Sequence, residues 1–312
     1  MQYASGEYIA FLDSDDYYVP EALERAYNKA KEDCADVCVF GAINFCEGTL
    51  EELAYEVLPF KKMLPKTTPF NISDIEKRIL NFSYNVVWNK MFKRRFLEEN
   101  NILFPPIRRG EDLCFSHWSL CLAKRITVLY ECLVNYRLFR QDSLSSTNGE
   151  NPGDIMDSYL LSANKLKELG VYPEQSFLNN ILGNIALVLK TIRVSWPVFE
   201  AVFLRLKNTD LEKLGLIPRE PGYYYSSWDE KMLQLIYQNE KAEEFLLAFL
   251  FLMEMRYKEL RTKKILQEQR NKEEQKKMMD QNKKLKEDIR KIRLSKSYQI
   301  GRLLTWIPRK IK

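Results

Sequence analysis

The sequence has a single histidine, His117, among 312 residues, and its six cysteines are scattered without a C-x-x-C pair. Zinc sites need clustered histidines and cysteines, and disulfide scaffolds need ordered cysteine spacing, so the sequence argues against both. Nucleophilic chemistry of the Ser–His or Cys–His kind has no support, because no convincing pair is present. For His117 a packed or surface position is favoured over metal ligation. The scattered thiols indicate a reducing compartment, the cytoplasm.

Long apolar runs are missing as well. No stretch of about eighteen apolar residues could form a membrane-spanning helix, and no secretory signal is visible. The apolar fraction of 46% and the charged fraction of 29% are those of an ordinary globular protein. A chain of 312 residues can bury one good core and still carry a second domain or extensions.

The charge is unevenly distributed along the chain. Residues 256–312 hold 20 Lys and Arg against 7 Asp and Glu, a charge of +13, which leaves −8 of the total of +5 for residues 1–255. A basic segment of this kind is suited to an anionic surface. No nucleic-acid-binding motif or interleaved aromatic pattern accompanies the charge, so nucleic acid is not predicted as a partner.

An acidic cluster near the start of the chain dominates the sequence. The apolar run Y-I-A-F-L at residues 8–12 predicts a buried strand, and Asp13, Asp15 and Asp16 follow it at once. Ligands of open α/β sheets bind where strands end. Carboxylates this close repel one another unless a cation or a donor-rich ligand neutralises them, and oxygen ligands suit Mg²⁺ or Mn²⁺. The alternative is that Asp15 and Asp16 cap a helix beginning near Pro20.

Four segments in order give this cluster a family context. Residues 1–147 resemble family 2 glycosyltransferases of the GT-A fold, in which a helix ending in A-x-G leads into a strand carrying the D-x-D motif. The matching segments are A-S-G-E-Y-I-A-F-L-D-S-D-D at residues 4–16, V-W-N-K-M-F at 87–92, G-E-D-L-C-F at 110–115, and Y-R at 136–137 with Ser143 and Ser145. Four segments in the right order are far more specific than any one of them.

The resemblance implies an α/β fold with a partial GT-A (Rossmann-like) sheet. Met1 corresponds to the middle of the nucleotide-binding half of the family, so we expect the sheet to lack its first strands and the D-x-D strand to have one bare edge. Two or three missing βαβ units would amount to roughly 60–90 residues. An α-helical domain and a long C-terminal helix are expected to follow the sheet. The start of the chain is therefore either an internal methionine or that of a remnant.

The pattern along the chain predicts four segments. Residues 1–148 form the partial GT-A domain, with a helix at 20–34 and strands at 36–42, 127–130 and 133–137. Residues 149–256 form a helical accessory domain without a chemical signature. Residues 257–296 form a charged long helix, and an irregular coiled coil with self-association is allowed there. Residues 297–312 form a basic amphipathic tail.

The resemblance also implies a reaction, namely sugar transfer from a nucleotide-sugar donor to a hydroxyl of a glycan or lipid-linked acceptor. Asp15 is expected to bind the metal, Mn²⁺ or Mg²⁺, and Asp13 to help through the ribose or a metal-bound water. Asp16 is expected to contact the donor or the metal. Asp112 is expected to act as the base of an inverting displacement, with Glu111 orienting the site. For Glu111 and Asp112 the alternative is N-capping of the helix that follows them.

Three further residues are expected at the donor. Trp88 lies in the segment that faces donor sugar and acceptor in the family, and Lys90 and Arg137 are suited to phosphate. A core position remains the alternative for Trp88, and a solvated position remains the alternative for Lys90.

The last residues combine Trp306 with Leu, Ile and clustered cations. This profile is typical of an interfacial helix on anionic lipid. We expect a cytoplasmic protein held peripherally on the inner face of the cell membrane by residues 297–312. The alternative is a tail that docks on its own protein.

Cell-surface polysaccharide or glycan synthesis is the expected function, with two alternatives. A remnant of the family would be a non-catalytic, membrane-associated helical scaffold or partner-binding protein. A phosphatase with an aspartate nucleophile is disfavoured, because its D-x-D-x-[TV] pattern meets Tyr17 here.

Overall fold

The computed structural model describes residues 3–46, 55–138, 153–190 and 195–295. The chain divides into two compact units, residues 1–249 and residues 250–312. Ser143 and Ser145 of the matching segments and the predicted membrane tail, residues 297–312, lie outside the described residues.

The first unit is built on one mixed, curled sheet. Its described strands are β1 (Tyr8–Ala10), β2 (Tyr17–Tyr18), β3 (Val37–Cys46), β4 (Tyr55–Val57), β5 (Lys90–Lys93) and β6 (Ile126–Leu138). The order is β1-β5-β3-β6-β2, and β4 pairs with β3. Strands β3 and β6 run parallel, and the other pairs are antiparallel. Among the described strands β1 lies at the edge, as expected of the D-x-D strand.

Helix α1 (Ala22–Glu32) forms because small apolar residues recur every fourth position. Ala22, Ala26 and Ala30 are at most 1% exposed, and they bring the helix close to the sheet core. The helix predicted at 20–34 and the strand predicted at 36–42 are both confirmed, the latter as the first part of β3.

The two strands predicted at 127–130 and 133–137 are one strand, β6. Its pairing with β3 shifts register between Val39 and Gly41 and again between Gly41 and Ala42. The extra residues around Glu131 are absorbed as a bulge, which bends the strand without ending it. Gly41 faces this irregularity, and a Cβ there would lie 2.6 Å from Leu58 and 3.1 Å from the Glu131 carbonyl oxygen.

The first unit also contains a series of helices. Between β4 and β6 lie α2 (Ile72–Ile75), α3 (Arg94–Glu99) and α4 (Glu111–Leu122). After β6 follow α5 (Asp154–Glu168), α6 (Glu174–Lys190), α7 (Trp196–Arg205), α8 (Leu211–Leu214) and α9 (Ser227–Gln238). The helical pattern predicted after residue 154 is confirmed. The segments predicted as separate domains at 1–148 and 149–256 lie largely within one compact unit here.

Polar contacts join the helices after residue 153 to the first half of the chain. Ser176 on α6 accepts from the backbone of Leu80 at 2.9 Å and donates to Asn81 at 2.6 Å. The side chain of Asn180 donates to the Leu80 carbonyl at 2.5 Å. Buried groups of this kind need partners, so these contacts fix α6 against residues 80–81.

The second unit contains most of the long helix α10 (Ala242–Leu294). Charged pairs one turn apart support its surface, as between Glu254 and Lys258 at 2.6 Å and between Glu259 and Lys263 at 2.5 Å. The long helix predicted for residues 257–296 is therefore present. None of the described helices is both long enough and apolar enough to cross a membrane.

The start of α4 gives a test of the fold. Gly110 has φ of 76°, and a Cβ there would lie 2.3 Å from the Ser158 hydroxyl oxygen. Gly110→Ala should lower the free energy of unfolding by about 1–3 kcal/mol, because backbone strain and a clash with α5 act together. Denaturant unfolding of the purified chain measures this.

Gly170→Ala is the matched control. Gly170 has φ of 68°, and nothing lies within 4 Å of its Cβ position, so only the backbone strain applies. Equal losses in the two variants would contradict close packing of α5 against the start of α4.

Candidate active site

The acidic cluster forms a tight turn directly after β1. The backbone N–H of Asp16 donates to the Asp13 carbonyl at 3.2 Å, which closes the turn. The hydroxyl of Tyr18 donates to the carbonyl of Phe11 at 2.9 Å, so the chain on both sides of the turn is tied together. Asp13 is exposed, Asp15 is half-buried and Asp16 is buried.

Four aromatic rings connect this turn to α4. Phe11 packs against Phe92 of β5, Phe104 and Phe115 of α4, with ring centroids 5.9, 5.1 and 5.4 Å apart. Phe104 and Phe115 stack at 4.4 Å. We call these four residues the aromatic cluster. Contacts of this type contribute about 0.5–1.5 kcal/mol per pair beyond burial, so they hold two distant chain segments side by side.

Helix α4 begins with Glu111 and Asp112, immediately after the left-handed Gly110. The Ser158 hydroxyl donates to the Arg109 carbonyl at 2.6 Å, which fixes the loop before the helix. Both carboxylates lie in the first turn, where the helix dipole stabilises negative charge. No side-chain cap bond is formed by the residue at the N-cap, Gly110.

The two acidic segments lie close enough to interact electrostatically. Partial desolvation of its carboxylate raises the pKa of Asp13, although the residue as a whole is exposed, and the charges of Asp15 and Glu111 raise it further. Burial also raises the pKa of Asp112 to about 6, and the charges of Asp13 and Glu111 act in the same direction. A hydrogen bond from the Val87 backbone and the charge of Lys90 oppose this shift. The D-x-D turn and the start of α4, almost a hundred residues apart in sequence, therefore share one site.

Arg137 contacts the acidic turn through both its backbone and its side chain. Its backbone N–H donates to Asp16 Oδ1 at 2.9 Å, and its Nε donates to the Asp15 carbonyl at 3.1 Å. Asp16 Oδ2 is buried and has no hydrogen-bond partner among the described residues. Burial raises the pKa of Asp16 to about 6 despite the bond from Arg137, and the charges of Asp15 and Asp13 act in the same direction as burial. Arg137 thus joins the site predicted for it, and its predicted contact with donor phosphate stays a prediction.

Trp88 is a core residue. It is 6% exposed, and its ring stacks on Tyr136 at 4.8 Å within the main apolar core. The structure favours the core alternative for Trp88 over direct contact with the donor. Tyr136 directly precedes Arg137 in β6, so the packing of Trp88 on Tyr136 supports the strand that carries Arg137.

Lys90 is not in contact with solvent, and its hydrogen bonds are made to residues outside the acidic turn. It is fully buried, and its Nζ donates to the carbonyls of Tyr84 and Val86, both at 2.7 Å, and to Asn89 Oδ1 at 2.8 Å. An ammonium has three N–H groups, and protein oxygens accept all three. The predicted contact of Lys90 with phosphate finds no support in this arrangement.

A buried polar network behind the site was not predicted. Asn85 donates to Asn180 at 2.7 Å and lies 3.3 Å from His117 Nε2, and His117 Nδ1 lies 3.0 Å from the Ser162 hydroxyl. Burial lowers the pKa of His117 to about 3, so its ring is neutral. The packed position favoured for His117 is confirmed. In the sequence, this network could have been recognised from polar residues spaced along apolar helices, such as Ser158 and Ser162.

The carboxylates of the turn are the candidate ligands for a cation. Within the described ranges no group of three or more His, Cys, Asp and Glu side chains is arranged to hold a metal ion. The side chains of Asp13 and Asp15 offer only oxygen ligands, which suit a hard divalent ion. The repulsion that raises the pKa of Asp13 would be relieved by such a charge.

Parts of this chain are similar to known proteins. Residues 1–100 match the family description "Glycosyl transferase family 2". A poly(ribitol-phosphate) beta-glucosyltransferase of Bacillus spizizenii is 27% identical over 296 residues, covering 78% of this chain and 44% of the relative. The poly(ribitol-phosphate) beta-N-acetylglucosaminyltransferase TarS of Staphylococcus aureus is 28% identical over 166 residues, covering 52% of this chain and 26% of TarS. The chain spans less than half the length of these curated relatives.

The fold agrees with a solved structure as well. Residues 1–349 of S. aureus TarS, in complex with UDP-GlcNAc, superpose with a TM-score of 0.55 at 18% identity. The alignment covers 82% of this chain and 69% of the TarS chain. The predicted resemblance to GT-A enzymes of family 2 is confirmed, and so is the α/β fold with a helical C-terminal region. The catalytic, donor and metal roles of individual residues stay predictions.

The raised pKa of Asp112 has a consequence for stability. Its folded-state pKa of about 6 lies above the unfolded value, so ionisation of Asp112 costs stability progressively as pH rises from about 4 to about 6. Asp112→Asn should therefore raise the free energy of unfolding by about 1–3 kcal/mol at pH 7.5 and lose this advantage near pH 4. Denaturant unfolding at both values measures the difference.

Asp280→Asn, in the exposed part of α10, is the control and should change stability little at either pH. A loss of stability in Asp112→Asn at pH 7.5 would mean that Asp112 is held there as a structural ion-pair partner of Lys90.

Proposed function

We propose that this protein, whose residues 1–100 match the family description "Glycosyl transferase family 2", transfers a sugar from a UDP-linked donor to a hydroxyl of a cell-wall polysaccharide. The observation that carries this proposal is the meeting of the acidic turn at residues 13–16 with Glu111 and Asp112 on α4. Relatives named for transfer to poly(ribitol phosphate) support an acceptor of the polyol-phosphate kind. The fold shared with a TarS fragment that binds UDP-GlcNAc supports a UDP-sugar donor.

Asp112 is the proposed base. It removes the proton of the acceptor hydroxyl while that oxygen attacks the anomeric carbon from the face opposite the leaving diphosphate, which inverts the configuration. A base must be ionised to act, and a pKa near 6 leaves Asp112 ionised at neutral pH yet more basic than an ordinary carboxylate. Glu111 lies beside it in the first turn of α4 and orients the site.

The acidic turn is proposed to bind the donor side. Asp15 and Asp13 would hold Mg²⁺ or Mn²⁺, which would neutralise the diphosphate that leaves. Asp16 accepts a hydrogen bond from the backbone N–H of Arg137, which joins the acidic turn to the end of β6. Arg137 places a positive charge beside the turn, and a guanidinium group can bind two phosphate oxygens at once.

We further propose peripheral attachment to the inner face of an anionic membrane through residues 297–312, with the enzyme in the cytoplasm. The support is the composition of this segment, which combines Trp306 and aliphatic residues with clustered cations. Self-association through residues 257–296 is retained as a proposal, since several apolar side chains of α10, among them Leu260 and Leu285, are exposed.

The two proposed carboxylate roles predict different kinetic losses. Asp112→Asn should lower kcat by about 10²–10⁴-fold with little change in donor affinity, because a base acts only in the transition state. Asp15→Ala should abolish metal-dependent transfer and weaken donor binding as well. Release of UDP in the presence of a polyol-phosphate acceptor measures turnover, and calorimetry measures donor binding.

Asp280→Asn on α10 serves as the control and should transfer at the rate of the unmodified chain. Equal losses of kcat and donor affinity in Asp112→Asn would contradict its role as a base. A folded, unmodified chain that transfers no sugar from any UDP donor would favour the non-catalytic scaffold.

Attachment to lipid has its own test. Deleting residues 297–312 should release the protein from vesicles containing anionic lipid, because each cation near the surface contributes about 1 kcal/mol. Cosedimentation with anionic and with neutral vesicles measures this. Undiminished binding of the shortened chain would contradict the proposed role of the tail.

A further inference from the structure

Lys90 is a buried, charged side chain to which the proposed reaction gives no role. Its Nζ has three oxygen neighbours within 2.8 Å, the carbonyls of Tyr84 and Val86 and the side chain of Asn89. A neutral amine has only two N–H groups, so three acceptors favour the charged form. Burial lowers the pKa of Lys90 to about 7, and the charge of Asp112 opposes that shift. An ammonium enclosed in this way replaces its water shell with protein oxygens.

All three acceptors belong to one loop, residues 84–89, which we call the lysine loop. The loop folds around the ammonium, and the backbone N–H of Lys90 closes it by donating to the Val87 carbonyl at 3.1 Å. Without the ammonium, buried acceptors in this loop would lose their partner, which is unfavourable. The conformation of the lysine loop therefore depends on Lys90.

The lysine loop is docked on the face of α4 that carries Asp112. The Val87 backbone donates a hydrogen bond to Asp112. One turn further along α4, the Ser116 hydroxyl donates to the Val86 carbonyl at 2.9 Å. The Val86 carbonyl thus accepts from Ser116 and from Lys90 together. Residues four apart lie on the same face of a helix, so Asp112 and Ser116 contact the loop side by side.

We propose that Lys90 is a positioning residue for the base. By holding the lysine loop against α4 it keeps the Val87 N–H on the Asp112 carboxylate, and its buried charge compensates the charge of that carboxylate. This inference rests on the proposed function, in which Asp112 is the base. The charged groups that act on Asp112 are Asp13, Glu111 and Lys90, and the first two act against ionisation. Among these groups in the described part of the site, Lys90 is the one whose charge favours the ionised form of Asp112.

Lys90→Gln is the first test. It should lower kcat about tenfold or more, since misplaced catalytic groups lose large factors in rate. The KM for a UDP-sugar donor should change by less than about threefold, because Lys90 does not touch the donor. The acid limb of the kcat profile should move to higher pH, because the positive charge that favours the ionised carboxylate is gone.

Lys93→Gln, on the same strand but partly exposed, is the matched control and should leave kcat and its pH profile unchanged. Proportional changes in kcat and KM of Lys90→Gln, with an unmoved acid limb, would overturn the proposal.

A second readout does not depend on turnover. Amide hydrogen exchange at Val87 should accelerate about tenfold or more in Lys90→Gln, because the lysine loop opens. Exchange in α1 should stay as in the unmodified chain, which shows that the fold is intact. Unchanged protection of Val87 would overturn the proposal even in an inactive protein. Failure of the unmodified chain to transfer sugar would instead count against the proposed function, and Val87 exchange would still decide the role of Lys90.

Ser116→Ala covers the case in which Lys90→Gln does not fold. It removes the other donor to the Val86 carbonyl without changing charge, so Val87 exchange should accelerate, kcat should fall by a few-fold, and the acid limb should move to higher pH by less than in Lys90→Gln. Wild-type exchange and wild-type kcat in Ser116→Ala would overturn the proposal.

Discussion

The site depends on the packing of Phe11 against Phe115. Phe11 comes two residues before the acidic turn, and Phe115 comes three residues after Asp112, so contact between the rings sets the distance between two acidic segments. Phe92 and Phe104 complete the aromatic cluster and leave both rings little freedom to move. The ionised carboxylates repel one another, and burial adds to the cost of their charge. The apolar contacts supply the free energy that keeps such a site together before any substrate binds.

The residues around Asp112 determine how this proposed base is positioned. The lysine loop brings a backbone donor and a buried cation to Asp112, while Asn85 ties the same loop to His117 and Asn180. The helices after residue 153 thus contribute to the surroundings of the base, although they carry no recognisable motif. A region that looks like an accessory domain in sequence therefore supports the arrangement of the loop.

Local patterns were sufficient to predict much of the fold. Alanines at every fourth position predicted α1, and the apolar run after Asp36 predicted β3. The motifs D-S-D and E-D contain residues that lie near one another in the structure, since the charge of Asp13 acts on Asp112. Other features depend on contacts between distant segments, which no local pattern contains. The burial of Lys90 follows from the shape of the lysine loop. Trp88 takes a core position because Tyr136 stacks on it. The strands predicted at 127–130 and 133–137 are one strand, because pairing with β3 turns the predicted break between them into a bulge.

We propose that the acidic turn and Asp112 together perform one displacement at the anomeric carbon. The most direct measurement is the anomeric configuration of the product formed from a UDP-α-sugar and a polyol-phosphate acceptor, read from the proton coupling of the new linkage by NMR. We expect a β-linked product, because a base acting opposite the leaving diphosphate inverts the configuration in a single step. An α-linked product would require attack from the same face and would contradict the assignment of Asp112.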